Sequence, residues 1–379
     1  MKPNNRQMRY LRMMLRTFNL LSIASFFGIL CGIHPSAAAE LYSLEKGDVQ
    51  LQSAGSLAFG PSGILFVGDA KAAKVYALNT EDEISSKNRS YNIANLSEKL
   101  AAALKLNDPT INDLAVNPVT GNAFVSVTSG SQVSIARIAT DGSVEQLDLK
   151  NIAHSSATLP NAPEDKEVGQ GRRRGNPRNN SITDLAYTAG RVLVAGLAAG
   201  ESPSSVHEFT FPFNESSAGA SVEIFHAAHG RSEDYAPIQT FVPFNIGDEP
   251  SLLAGYICTP LVKIPVNQLK SKKRVTGTTV AELGNRNRPL DMLVYQQHGK
   301  AFLLMSNSAR GVMKISTEDL ENNAGLTERV ANGGVAGQPY ETIESLKGVV
   351  QLAKLDEGHA LVIQQEEGAP DSLVSIELP

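Results

Sequence analysis

The chain holds two cysteines, Cys31 and Cys258, and no tryptophan in 379 residues. Two thiols exclude a disulfide framework, a Cys-x-x-Cys-His haem attachment and a cysteine-built metal cluster. Also missing are a Gly-x-Ser-x-Gly nucleophile elbow, a Gly-x-x-x-x-Gly-Lys-Ser/Thr phosphate loop and a His-Glu-x-x-His zinc motif. Positive charge is in short supply: 34 Lys and Arg stand against 39 Asp and Glu, a net charge of −5. That balance argues against nucleic acid or an anionic membrane as a general partner. Beyond residue 39 no apolar run approaches membrane-spanning length.

The first 39 residues are of another kind. Lys2, Arg6, Arg9, Arg12 and Arg16 come without a single acid, and an apolar run follows from Phe18 to Ile33. Pro35 then precedes Ala37, Ala38 and Ala39. A basic head, a short apolar stretch and small residues before Glu40 make a secretory signal peptide over residues 1–39, cleaved after Ala39. Leu30 in front of Cys31 speaks against a lipid-anchored cysteine. Losing five basic residues and no acid moves the net charge from −5 to −10. The expected mature chain, residues 40–379, is one domain, periplasmic or secreted and free of the membrane, with Cys258 as its single thiol. A domain of that size buries enough apolar surface without a disulfide.

That domain is built on a repeat: an apolar strand, a turn, a second apolar strand, a polar turn and a third strand. The first copy runs through Leu57, the turn Gly60-Pro61-Ser62-Gly63, Ile64 to Val67 and Lys74 to Leu78. Copies anchored at Leu114, Leu185, Val242, Met292 and Val350 follow at spacings of 57, 71, 57, 50 and 58 residues. Fourth strands fit at Arg89 to Ile93, Val144 to Leu149, Val222 to Phe225 and Val275 to Leu283. Four-stranded units without crossover helices spell an all-β fold, a β-propeller of six blades, with seven left open by the long third unit. The last unit ends on its third strand. Leu41 to Leu51 is therefore expected to close the ring as its missing outer strand. A helix is expected between the first two units, with Asn95 and Glu98 as a capping pair and Leu96, Leu100, Leu104 and Leu106 as its apolar face.

The segments Leu57 to Asp69 and Asn112 to Val125 resemble the loose blades of NHL, YVTN and gluconolactonase-type propellers. The resemblance implies a ligand site where the central channel meets the face on which the innermost strands begin, here called the proximal face. It also implies, for the lactonase kind, a divalent cation in the channel held by Glu, Asn and Asp. Asp113, Asp184, Asp291 and Asn112 match in part, but Ala54-Gly55-Ser56 stands where the first unit would supply an acid. The absence of Trp sets the chain apart from WD40 and tryptophan-rich quinoprotein blades.

Candidate residues fall on the proximal face. Asp113, Asp184 and Asp291 each open an innermost strand, either as a rim for a cation such as Ca²⁺ or as acceptors for backbone amides where units meet. Arg286 and Arg288 precede the fifth innermost strand, and Asn307 and Arg310 lie in the hairpin returning to the same face. With Asp291 they offer donors to a carboxylate, phosphate or sugar, or else lock two units together. The basic loop Arg172-Arg173-Arg174 reads as an anion or partner site or as a solvated loop. Cys258 reads as a nucleophile, a metal ligand or a mixed-disulfide site or, more simply, as an inert buried thiol. His226 and His229, three apart, read as a pair that could share a metal or, with no third ligand nearby in sequence, as exposed loop histidines. The expected function is a module binding a small polar ligand or another exported protein. The alternative is a metal-dependent hydrolase of the lactonase kind, with its site in the channel.

Overall fold

The computed structural model describes residues 37–84, 89–171, 174–214, 219–258, 260–270 and 273–379. The expected signal segment therefore lies outside the described residues up to position 36, as do Arg172 and Arg173.

Each repeat copy forms a twisted antiparallel meander, or blade. Blade one comprises Leu57–Phe59, Ile64–Asp69 and Lys74–Asn79. Blade two runs Thr110–Val116, Ala123–Ser129, Gln132–Ile138 and Val144–Gln146. Blade three runs Asp184–Thr188, Arg191–Leu197, Ser204–Thr210 and Ala220–His226. Blade four holds Thr240–Ile246, Glu249–Gly255, Pro260–Pro265 and Arg274–Leu283. Blade five holds Pro289–Gln297, Lys300–Asn307, Gly311–Ser316 and Tyr340–Thr342. Blade six starts with Val349–Lys354, His359–Gln364 and Ser372–Glu377.

Strand alternation explains how the blades stack. Successive side chains point to opposite faces of a sheet, so one strand feeds two interfaces. In Ile64–Asp69, Ile64 and Phe66 pack with Leu185, Val194 and Phe209 of blade three. Leu65 and Val67 pack with Ala115, Phe124 and Ile135 of blade two. Further apolar clusters join blades three and four, four and five, five and six, and six and two. The innermost strands touch in the same circuit. Around the ring the blades thus stand in the order two, one, three, four, five, six, which departs from chain order.

Two strand exchanges produce this order. Asn92–Ala94, after blade one in sequence, is the outer strand of blade six, with Ile93 opposite Leu373. Ile152–Thr158, after blade two, returns as the outer strand of blade one, with Ser156 opposite Tyr76. Two expectations are corrected here. The strand near residues 89–93 does not complete blade one, and the N-terminal segment does not close blade six. The N-terminal strand is Glu45–Gly47, and it extends blade one beyond Ile152–Thr158. The physical reason is apolar burial. Leu44 sits in the cluster between blades one and three and Val49 in the one between blades one and two, which ties residues 44–49 there. Tyr91 is buried as well, and its hydroxyl donates to Gly121 O at 2.7 Å in blade two, while its N–H donates to Ser375 Oγ in blade six at 2.8 Å.

The expected helix is Leu96–Leu104, with Leu96, Leu100 and Leu104 buried between blades two and six. Its cap differs from expectation. Asn95 is left-handed and its side chain caps nothing. Asp371 of blade six caps the helix instead, accepting from Ser97 N at 3.1 Å and Ser97 Oγ at 2.5 Å. A carboxylate there also suits the positive end of the helix dipole.

Candidate functional site

The channel is lined at its proximal end by one position from each innermost strand. Asp113 Oδ2 accepts from Leu57 N at 2.6 Å, Asp184 Oδ2 from Phe241 N at 2.7 Å and Asp291 Oδ2 from Leu352 N at 2.6 Å. Each bond crosses to the neighbouring blade, and all three run the same way round the ring. The residue before each acceptor-bound amide is Ser56, Thr240 or Gln351. Acid and neutral residues therefore alternate: Asp113, Ser56, Asp184, Thr240, Asp291, Gln351. The ring behaves as three latched blade pairs.

Backbone bulges set this aim. Pairing slips by one residue just before Asp113, Asp291 and Gln351. A bulge bends a strand and re-aims the next side chain. With its amide nitrogen turned towards them, Gln351 donates to Asp113 Oδ1 at 3.0 Å and Asp291 Oδ2 at 3.1 Å, bridging two carboxyls.

The three carboxyls are electrostatically crowded. Desolvation and the nearby Asp184 charge push Asp113 up to about 8. Burial lifts Asp184 to about 6, against the hydrogen bonds from Phe241, Thr240 and Leu185. Burial and the charges of Asp113 and Asp184 hold Asp291 well above the usual carboxylate range. Among the described residues no Lys or Arg pairs with any of the three. Asn112, the partial match for a cation ligand, donates its amide to Ala54 O at 2.9 Å.

The structure does not bring the blade-five arginines to this ring. Arg286 and Arg288 are exposed, flanking a buried Asn287. Asn287 donates to Gly284 O at 2.7 Å, and Asn307 Oδ1 accepts from Ala309 N and Arg310 N. The Arg310 guanidinium lies over Gly284, where a Cβ would come within 2.3 Å of Nη2, and its Nε is buried without a partner. The amides thus scaffold two proximal loops, and the guanidinium groups sit outside the channel ring. Cys258 is half-buried in a left-handed turn beside them, its N–H donating to Asn287 O at 2.9 Å. In the basic loop, Arg174 pairs with Glu167, and Lys166 with Glu164.

Two arrangements escaped the sequence reading. Glu233 joins His226 and His229, its carboxylate 2.8 and 2.7 Å from their Nδ1 atoms. The spacing was visible, but only the hairpin at Gly230 folds Glu233 back. The second is a cavity of about 800 Å³ at the opposite, distal end of blades three to six. Val242, Phe244 and Val294 form its apolar floor, with Val266 beside them, and Arg191 and Lys354 stand at its rim. It collects the far ends of innermost strands, where no motif marked it.

No protein-family model matches the chain, and no curated protein matches its sequence. Solved structures align with most of the chain at low similarity. The PQQ-bound aldose sugar dehydrogenase of Streptomyces coelicolor aligns at a TM-score of 0.35 and 11% identity, over 88% of this chain and 96% of that one. Streptogramin B lyase aligns at 0.36 and 9%, over 88% and 97%. The Cps50 (Swd1) β-propeller domain of Myceliophteria thermophila aligns at 0.36 and 11%, over 85% and 83%.

Proposed function

We propose that the protein is an exported β-propeller that binds a small amphipathic, anionic ligand at the distal mouth of its channel. The cavity over blades three to six carries this reading. Its volume of about 800 Å³ falls within the range of small-molecule sites, roughly 300–1,000 Å³. The floor of Val242, Phe244 and Val294 suits an apolar body, and Arg191 and Lys354 suit an acidic group. Both cations have acid partners at the surface, half-buried Glu208 at 3.3 Å and exposed Glu357 at 2.8 Å, and such surface pairs exchange readily. Export rests on the order of residues 1–39, and N-terminal peptide mass spectrometry of secreted material should find Glu40 first. Titration with 8-anilinonaphthalene-1-sulfonate tests the ligand site. Saturable one-to-one binding, lost in Phe244→Asp and weakened several-fold in Arg191→Ala, supports it. Binding by Phe244→Asp equal to wild type refutes it.

The channel carboxylates favour a second reading, a metal-dependent hydrolase of the lactonase kind. Three crowded carboxyls without a cationic neighbour suit a hard divalent cation such as Ca²⁺. Their oxygens already accept amide hydrogen bonds, and Asn112 is committed to backbone. Elemental analysis decides: stoichiometric calcium that is lost in Asp184→Asn supports this reading, and metal-free protein with no calcium affinity removes it.

A further inference from the structure

The hairpin that closes blade three carries a second cluster of ligand-type side chains, far in kind from the channel acids. Ala220–His226 ends at His226, the chain turns through Ala227 to Gly230, and Arg231–Glu233 runs back antiparallel with His226 opposite Arg231. The turn is tight: Gly230 N donates to His226 O at 2.8 Å, and Gly230 takes φ +67°, where a side chain would be strained. It sets His229 over His226, with ring centroids 3.9 Å apart. Residues 224 and 226 share a sheet face with 231 and 233, so Glu233 meets both imidazoles from across the hairpin.

We infer that His226, His229 and Glu233 form a binding site for a divalent transition ion of the zinc type. The ligand atoms of the three lie within 4.8 Å of one another. Each Glu233 oxygen is 2.7–2.8 Å from one Nδ1, and the pairs need part by only about half an ångström to reach the roughly 3.3 Å between neighbouring ligands of a tetrahedral ion with bonds of about 2.0–2.1 Å. One cation replaces the hydrogens that now bridge these atoms. Two imidazoles and a carboxylate are the donor set zinc takes when a fourth position stays open. His229 is 43% exposed and Glu233 only 3%, so the open position faces solvent while the carboxylate stays fixed. Arg231 Nε donates to Glu233 Oε1 at 2.9 Å, the outer hydrogen bond that orients a ligating carboxylate. Calcium, which wants six or more oxygens, does not fit.

The test uses the whole chain without an affinity tag, stripped of metal by a chelator. Calorimetric titration with Zn²⁺ should show one site of micromolar affinity or tighter, and titration with Ca²⁺ none. Co²⁺ should give the visible absorption of a four-coordinate ion. His229→Ala removes an exposed ligand and leaves the fold intact, and should weaken Zn²⁺ at least tenfold. Glu233→Gln should do the same. Absence of Zn²⁺ binding by wild type, or equal affinity in a folded His229→Ala variant, overturns the site and leaves the cluster as a hydrogen-bonded hairpin lock.

Discussion

The Asp113 carboxylate accepts the Leu57 amide at 2.6 Å, joining blade two back to blade one across 56 positions of sequence. Asp184 with Phe241 and Asp291 with Leu352 repeat the contact. Removing one latch leaves a buried N–H unpaired, a cost of about 1–3 kcal/mol. Asp113→Ala should therefore lower the urea midpoint clearly, while Asp113→Asn, which keeps an acceptor, should lose much less. Equal midpoints for the two variants would mean that the latch contributes nothing.

The same acids predict how stability depends on pH. Their folded pKa values lie above the ordinary 3.8, at about 8 for Asp113 and about 6 for Asp184. Between those limits the native state holds protons that the unfolded chain has released, so these groups make stability fall as pH rises from about 4 to about 8. The contribution is isolated by subtraction: melting curves of wild type and of Asp113→Asn/Asp184→Asn should diverge over this window, with the variant the less sensitive. Parallel curves would show that the carboxyls ionise freely.

Asp371 caps a helix from another blade, through Ser97. Asp371→Ala should cost about 1 kcal/mol in chemical denaturation, within the range for lost N-caps. Because the cap also ties the linker strand to blade six, hydrogen exchange at Asn92–Ala94 should speed up in the variant. Unchanged exchange there would show that blade six closes without it.

Whether the exposed blade-five arginines hold an anion is decided by phosphate. Phosphate should raise the melting temperature of wild type, and Arg288→Ala should remove that response while barely changing the melt in phosphate-free buffer. An unaltered phosphate response in Arg288→Ala would assign the loop a purely structural role.

Much of the architecture could be read from residues. The strands of every blade follow the apolar alternation, because each feeds two blade interfaces, as Ile64 and Leu65 do. Blade order could not be read. It depends on whether Ile93 pairs with Tyr76 or Leu373, and apolar pattern alone does not distinguish the two. Asp113, Asp184 and Asp291 stood out through their shared repeat position, and the structure does bring them together. Gln351 and Thr240 did not, because neither carries the carboxyl that marked the position, and a one-residue bulge before Gln351 hides its equivalence. The distal cavity has no sequence mark, since Val242, Phe244 and Val294 look like ordinary strand residues until the ring gathers them.

The claim that the distal cavity is the ligand site is tested most directly by a crystal structure of the protein soaked with 8-anilinonaphthalene-1-sulfonate. The account predicts the rings against Val242, Phe244 and Val294, with the sulfonate towards Arg191 or Lys354. Density for the probe at another site, with this cavity filled by solvent alone, would contradict it.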